Sequence, residues 1–153
     1  MSLAFVHLNF GWNADPNVPD PEANVEGVDV ILRFVMNPFQ FPDFHEEEQG
    51  FLRFVNCAQF RMGPTNDEGW YLGQCRFSGK APEWGEFYAV LGEPHSADGP
   101  NDWVLIEGYS DTKRTHFLFY FRDETFECLA ERCLLEPIQN NALIRTSKSL
   151  PNI

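Results

Sequence analysis

The sequence predicts a mostly-β, single-domain protein: an antiparallel β-sandwich or an open barrel with Pro/Gly-rich loops and little helix. Short segments with apolar residues at every second position recur along the chain, as in half-buried strands. Loops containing many of the 11 Gly and 11 Pro residues separate these segments at fairly even spacing. An apolar stripe with the helical period of 3.6 residues persists nowhere for three turns. We expect one domain over residues 1–138, followed by a C-terminal tail over 139–153 that is docked or frayed.

The first half of the chain contains four predicted strands. Residues 3–10 form a short apolar strand, and the proline-rich, acidic segment 13–27 is predicted to be a loop. Residues 28–35 alternate in hydropathy, and Phe51 to Arg61 forms the next strand, with Trp70 to Phe77 returning beside it as a hairpin. One face of the 28–35 strand carries the core side chains Val28, Val30, Leu32 and Phe34.

The second half contains predicted strands at 87–91 and 103–107 and then a hairpin. Its strands are 115–121 and 126–131, joined by a turn over 122–125. If Phe121 lies opposite Phe126, then His116 lies opposite Glu131. Alternate aromatic residues predict a core face, and leucines on the other face predict that the hairpin is covered partly on both sides.

The charge is strongly negative, with 23 Asp and Glu against 11 Lys and Arg and a net charge of -12. Lys113 and Arg114 form the longest basic run, so the sequence disfavours nucleic-acid binding, which needs clustered cations. From Asp15 to Glu48 the sequence contains nine acidic residues and a single basic residue, Arg33. Such a field serves solubility or attracts a basic partner or a multivalent cation.

The N-terminal residues contain neither a basic segment nor a long apolar run, which predicts a cytoplasmic protein without a signal peptide or membrane span. The four cysteines, Cys57, Cys75, Cys128 and Cys133, lack the CxxC spacing. We expect reduced, structural thiols. Cys57 and Cys75 would lie diagonally across the predicted hairpin.

Asp43, His45 and Glu47 are the best candidates for metal ligands, because carboxylates and an imidazole in one loop supply oxygen and nitrogen donors. The alternative is a solvated charge run before a strand. Acidic loops at 66–68 and 98–102 are weaker calcium candidates, since neither matches the EF-hand pattern.

Signatures of common enzymes do not occur: the chain has no G-x-S-x-G elbow, no H-E-x-x-H and no phosphate-binding glycine loop. The predicted pair of His116 and Glu131 is either a general base with its orienting carboxylate, a pH-sensitive pair or a surface contact. The sequence therefore favours a protein without catalysis or cofactor.

Aromatic residues are the other excess, with 15 Phe, 4 Trp and 4 Tyr. They fill a core, line a ligand cavity or anchor an interface. Trp84 is the best interface candidate, because Pro82, Glu83 and Gly85 place it in a turn.

The late hairpin segments 116–121 and 126–130, together with 30–34 and 50–57, resemble strand patterns of small bacterial all-β families. Several of these families are uncharacterised, and some are proposed immunity proteins that neutralise a toxin. The resemblance implies a non-enzymatic binder whose acidic face meets a basic protein. On this chain that face is Asp43, Glu46, Glu47 and Glu48 with Trp84, widened by the loop 13–27 if the two loops lie together.

The alternative is a small-ligand-binding or metal-dependent β-barrel protein or enzyme. It predicts an aromatic-lined cavity of several hundred Å³, roughly the usual size of ligand pockets. The sequence predicts neither the partner's identity nor the oligomeric state.

Overall fold

The computed structural model describes residues 3–64, 77, 82–92, 101–136 and 148–149. Within these residues the chain is all β and contains no helix, as the alternating sequence patterns predicted. None of the described residues belongs to a helix long and apolar enough to cross a membrane. The strands are β1 (Ala4–His7), β2 (Glu22–Glu26), β3 (Asp29–Val35), β4 (Gln49–Pro64), β5 (Phe87–Leu91), β6 (Val104–Leu105), β7 (Thr115–Tyr120), β8 (Glu124–Glu136) and β9 (Lys148–Ser149).

All described strand pairs are antiparallel and belong to one sheet with the order β1-β5-β7-β8-β4-β3-β2. β6 adds to β4 and β9 adds to β8 outside this path. β1 and β2 are the edges, so the described strands do not close into a ring. This open antiparallel arrangement agrees with the predicted fold class, a sandwich or an open barrel.

The sheet curls until its two halves face each other. β3 and β7 are three strand steps apart, which is about 14 Å in a flat sheet. Yet the rings of Phe34 on β3 and Phe119 on β7 have centroids 5.3 Å apart. Phe54 on β4 likewise lies 6.0 Å from Phe87 on β5. The core therefore fills the concave side of the sheet with aromatic rings.

β3 confirms the predicted alternation. Val30, Leu32 and Phe34 are fully buried, while the residues between them are only partly covered. Val28, just before the strand, packs against the same core. The side-chain period of two is thus sufficient to fix which face of this strand is buried.

β7 is covered on both faces, as predicted for the hairpin. Phe117 and Phe119 face the main core. Leu118 and Tyr120 face the opposite side, where Phe77 and Trp84 pack against them in a second, smaller cluster.

Two strand predictions are wrong in extent. The segment 13–27 was predicted to be a loop, but residues 22–26 form β2. Its Ala23 and Val25 lie opposite Leu32 and Val30, which is enough apolar contact for an edge strand. The strand predicted at 103–107 reduces to the two residues of β6.

The predicted register of the last hairpin is wrong by two residues. His116 lies opposite Leu129, not Glu131, and Tyr120 lies opposite Thr125. The cause is the tight connection, in which the Phe121 N–H donates to the Glu124 carbonyl oxygen over 2.8 Å. A shift of two preserves the faces, because side chains alternate with a period of two.

Three predictions lie largely outside the described residues. These are the strand at 70–77 apart from Phe77, the cysteine pair that includes Cys75, and the tail over 139–153 apart from Lys148 and Ser149. The backbone of these last two residues pairs with Leu135 and Leu134 of β8.

Candidate functional site

A cavity of about 360 Å³ lies at one end of the sheet. Its described walls come from segments that follow β1 and β3, precede β5 and end β7. The volume falls in the ordinary range of ligand pockets, roughly 300–1,000 Å³. The lining residues are Asn13, Ala14, Asp15, Pro16, Asn37, Gln40, Trp84, Gly85, Glu86, Tyr120, Phe121 and Arg122.

Backbone pairing holds Asn13 in the cavity wall. The Asn37 N–H donates to the Asn13 carbonyl oxygen over 3.0 Å, and the Asp15 N–H donates to the Val35 carbonyl oxygen over 2.8 Å. The Asn13 side-chain amide donates to Gln40 Oε1 over 3.0 Å. Its Oδ1 is buried and accepts no hydrogen bond from any described residue. This cavity wall therefore contains an acceptor that lacks a donor within the described chain.

Two stacked rings form the aromatic wall. Trp84 and Tyr120 have centroids 5.1 Å apart and an interplanar angle of 28°. Tyr120 is fixed on the outer face of β7, and Trp84 lies in the turn that the sequence predicted, next to Gly85 at φ +85°. The Glu83 N–H donates to the Tyr88 hydroxyl over 2.7 Å and anchors this turn to β5.

Two carboxylates and one guanidinium contribute charge to the described lining. Glu86 Oε2 accepts from the side chains of Asn9 and His7. Asp15 Oδ1 accepts from the N–H groups of residues 17 and 18 at 2.8 and 3.0 Å. Arg122 donates to the Asn17 carbonyl oxygen over 2.8 Å. These walls therefore have a surplus of one negative charge.

An acidic cluster lies beside Arg122. Burial raises the pKa of Glu124, and the charges of Asp123 and Asp20 raise it further. The fold therefore holds three carboxylates of two distant segments close enough to repel one another. We call Asp20, Asp123 and Glu124 the turn cluster.

The predicted partner-binding acids separate into two groups. Asp43, Glu46 and Glu47 are exposed, as an interaction surface requires. Glu48 is 9% exposed, and its Oε1 accepts the His45 N–H over 3.0 Å. It therefore stabilises the local turn and does not belong to an exposed face.

The two predicted acidic loops meet at their bases. Ala14 and Met36 form an isolated antiparallel bridge, and the Met36 N–H donates to the Glu48 carbonyl oxygen over 2.8 Å. Residues near the start of one loop and the end of the other therefore flank the same short stretch after β3.

The predicted metal ligands Asp43, His45 and Glu47 are not assembled into a site. Among the described residues no group of three or more His, Cys, Asp and Glu side chains could hold a metal ion. In the weaker calcium segment 98–102, Asp102 is engaged by Arg61 at 2.7 and 3.2 Å.

Two arginines neutralise part of the loop charge. Arg53 contacts Glu136, Asp29 and Glu26 at 2.6, 3.0 and 3.2 Å. Arg33 contacts Glu22 at 2.8 Å and Asp20 at 3.7 Å. The hydrogen bond to Arg33 lowers the pKa of Glu22. The acids of the first loop are thus largely paired with arginines, unlike Glu46 and Glu47, which form no ion pair with a described residue.

His116 belongs to a buried polar network that the sequence placed wrongly. Its Nε2 lies 2.8 Å from Glu127 Oε1, and Arg61 donates to Glu127 Oε2 over 2.9 Å. Glu131 accepts instead from the Thr112 hydroxyl over 3.0 Å. Because His116 and Glu127 are 8% and 1% exposed, the network has the character of a structural ion pair.

The described cysteines are free and buried. Burial raises the pKa of Cys128 and of Cys133 well above the usual range of a thiol. A hydrogen bond with Cys128 lowers the pKa of Cys57, but this thiol is fully buried in the core. These thiols match the structural role that was predicted for them.

Sequence reasoning missed Asn13, Glu86 and Arg122 as cavity residues. Each is polar, and each belongs to a different segment, so no local pattern connects them. The one available signal was Trp84, a large aromatic residue in a turn.

Comparisons of the chain with protein-family models, with curated proteins and with solved structures found no significant match.

Proposed function

We propose that this chain is a non-enzymatic binding protein that captures a basic protein on the acidic surface around the cavity. The main support is that several acidic segments begin at or continue from residues of the cavity wall. Asp15 lines the cavity, the segment with Asn37 and Gln40 continues to Asp43, Glu46 and Glu47, and Arg122 leads into the turn cluster. An immunity-type protein, which neutralises a toxin by binding it, is one kind of protein that would capture a basic partner on an acidic surface.

The charges at this end of the sheet support binding over a purely structural role. Arg33, Arg53 and Arg61 each contact two or more carboxylates. Acidic residues with a purely structural role are therefore paired with arginines in this fold. Glu46 and Glu47 have no such partner among the described residues. Exposed surplus charge attracts an oppositely charged partner and speeds its association.

Affinity capture with matched charge variants tests this function. The variant Glu46→Lys/Asp123→Lys reverses two charges in the proposed surface. The control Glu107→Lys/Asp111→Lys makes the same change of net charge at exposed positions outside the cavity lining. A basic protein captured from native lysate should be retained by the wild type and the control and lost by the first variant.

The captured protein should also dissociate as NaCl rises from about 50 to about 500 mM, because the Debye length falls to a few ångströms. Equal retention by both variants, or capture that does not depend on salt, contradicts the proposal.

A second candidate is a small-ligand-binding protein, favoured by the volume of the cavity and its stacked Trp84 and Tyr120. A ligand of this kind should raise the melting temperature of the wild type and not that of Trp84→Leu. Ligand-induced stabilisation that is the same in both proteins would place the ligand elsewhere.

A further inference from the structure

We propose that the cavity holds the guanidinium group of one arginine side chain from the basic partner. This inference rests on the proposed function and names the chemistry that the site recognises. Three features of the described lining support it: an excess of hydrogen-bond acceptors, a negative charge and an aromatic wall.

The lining offers acceptors. Asn13 is 8% exposed, and its buried Oδ1 receives no hydrogen bond from a described residue. From the described residues, the Glu86 carboxylate accepts hydrogen bonds only on Oε2, and the Asp15 carboxylate accepts them only on Oδ1. Within the described chain, each carboxylate therefore keeps its second oxygen for another donor. A guanidinium has five N–H donors and no acceptor, so it complements such a lining.

The charge of the site favours a cation. Asp15 and Glu86 outweigh Arg122, whose Nη1 is already engaged by the Asn17 carbonyl oxygen at 2.8 Å. The turn cluster begins at the residue after Arg122 and adds negative potential. Partial enclosure strengthens these interactions, because charges attract more strongly in a site shielded from water.

The aromatic wall favours arginine in particular. Guanidinium planes stack on the faces of Trp and Tyr and also gain cation–π attraction there. Trp84 and Tyr120 line the same cavity as Asn13 and Asp15. A planar group with donors at its edge can therefore contact the ring and donate to the acceptors at once.

The test is a titration of the ¹⁵N-labelled chain with arginine amide and, separately, citrulline amide. Citrulline has nearly the same shape, but its urea group is neutral and has a carbonyl acceptor in place of one NH2 group, so it keeps three of the five N–H donors. We expect arginine amide to shift the signals of the Asn13 side-chain amide and the Trp84 indole. Citrulline amide should bind at least about tenfold more weakly, the typical loss for a hydrogen bond to a charged group.

Three variants locate the binding. Trp84→Leu should weaken arginine amide binding about tenfold, the order of a cation–π contact in a shielded site. Tyr109→Leu removes an exposed aromatic residue outside the lining and should leave binding unchanged. Asn13→Asp keeps the Oδ1 acceptor and adds a negative charge, so it should tighten arginine amide binding but not citrulline amide binding. A gain in affinity cannot arise from a variant that fails to fold.

Equal affinity for the two amides, or no response to Trp84→Leu and Asn13→Asp, overturns the inference. Arginine amide in excess should also release the captured partner if the native occupant is a side chain. If the amide fails to bind while Glu46→Lys/Asp123→Lys still abolishes capture, the inference is wrong and the proposed function stands. If the amide binds with the expected variant profile while the charge variants leave capture unchanged, the cavity is a guanidinium site, but the proposed function is wrong and so is a partner's arginine as the native occupant.

Discussion

The Glu127 carboxylate is almost fully buried and bonds to two cationic or protonatable side chains, Arg61 and His116. Glu127→Ala removes the buried partner of Arg61, which then contacts only the exposed Asp102. Breaking one side of a buried ion pair usually costs on the order of 3–5 kcal/mol, so we expect a loss near the lower end of that range in the free energy of unfolding. Urea denaturation measures it.

Glu131→Ala is the matched control, because it removes a carboxylate from an exposed position of the same strand. Its hydrogen bond to the Thr112 hydroxyl lies near the surface, and a loss below about 1 kcal/mol is expected. Similar losses in the two variants would show that the Glu127 network contributes no more than a surface contact.

Asp102 and Glu124 should give stability changes of opposite sign with pH. The hydrogen bond from Arg61 lowers the pKa of Asp102. A lowered carboxyl pKa gives stability that is present above the unfolded value, about 3.9 for Asp, and lost as the pH falls through the folded value. Asp102→Asn should therefore be less stable than the wild type at pH 7, and the difference should vanish in acid.

Glu124 has a raised pKa, so its ionised form opposes folding. Below the pKa of the unfolded chain, about 4.3 for Glu, the side chain is protonated in both states and does not oppose folding. As the pH rises through the folded pKa, the carboxyl ionises and the protein loses stability. Glu124→Gln should be more stable than the wild type at pH 7 and equal to it in acid. Thermal melts at several pH values compare both variants, and differences of the same sign would contradict the assignment.

Residue-level predictions from sequence succeeded where local chemistry decides the outcome. Trp84 lies in a turn because Gly85 adopts a positive φ there. Glu48 was placed on the acidic face but is buried, since its side chain caps the His45 N–H. Asn13 was missed, because its unsatisfied oxygen depends on the packing of Gln40 and of β3 rather than on its own neighbours in sequence.

At the scale of elements, Asn56 controls the bend in β4. It has a φ of +50° and immediately precedes the register shift between Cys57 and Gln59. Its side chain donates to the Ser110 carbonyl oxygen and accepts the Ser110 N–H, at 2.9 and 2.8 Å. The irregularity thus lets one long strand turn and attaches the segment before β7 to it.

Two substitutions separate the strain at Asn56 from its hydrogen bonds. Asn56→Gly and Asn56→Ala both lose the contacts to Ser110, but only alanine has a side chain that disfavours positive φ. Alanine should therefore be the less stable variant, by on the order of 1 kcal/mol in the free energy of unfolding. Equal stabilities in chemical denaturation would mean that the backbone relaxes out of the left-handed region.

Strand faces could be predicted from sequence, whereas pairing could not. β3 follows its alternation because one face meets the core along its whole length. β2 was hidden by prolines and acids, and its pairing depends on contacts with β3 across the turn. The hairpin register was set by the tight connection after Phe121, and a two-residue error is invisible to hydropathy because it leaves every face unchanged.

At the scale of the whole molecule, surplus charge opposes the packing of the aromatic core. The chain carries 12 more acidic than basic residues, and folding concentrates part of this charge in the turn cluster. Such self-repulsion destabilises a compact state. The ion pairs of Arg33 and Arg53 act in the opposite direction, but each of these cations can neutralise only one of the carboxylates around it.

Salt should therefore stabilise the fold. Between about 10 and 200 mM NaCl the Debye length falls from about 30 Å to below 10 Å, which screens repulsion between separated carboxylates. The contacts of Arg61 with Glu127 are buried and respond less, so the net free energy of unfolding should rise with salt. The triple variant Asp20→Asn/Asp123→Asn/Glu124→Gln should show a smaller rise, because it removes carboxylates that repel one another. Glu46→Gln/Glu107→Gln/Asp111→Asn, with the same net charge, should retain more of the salt response. Urea midpoints across the salt series measure all three proteins, and a wild-type stability that falls with NaCl would mean that attraction within the ion pairs outweighs the surplus charge.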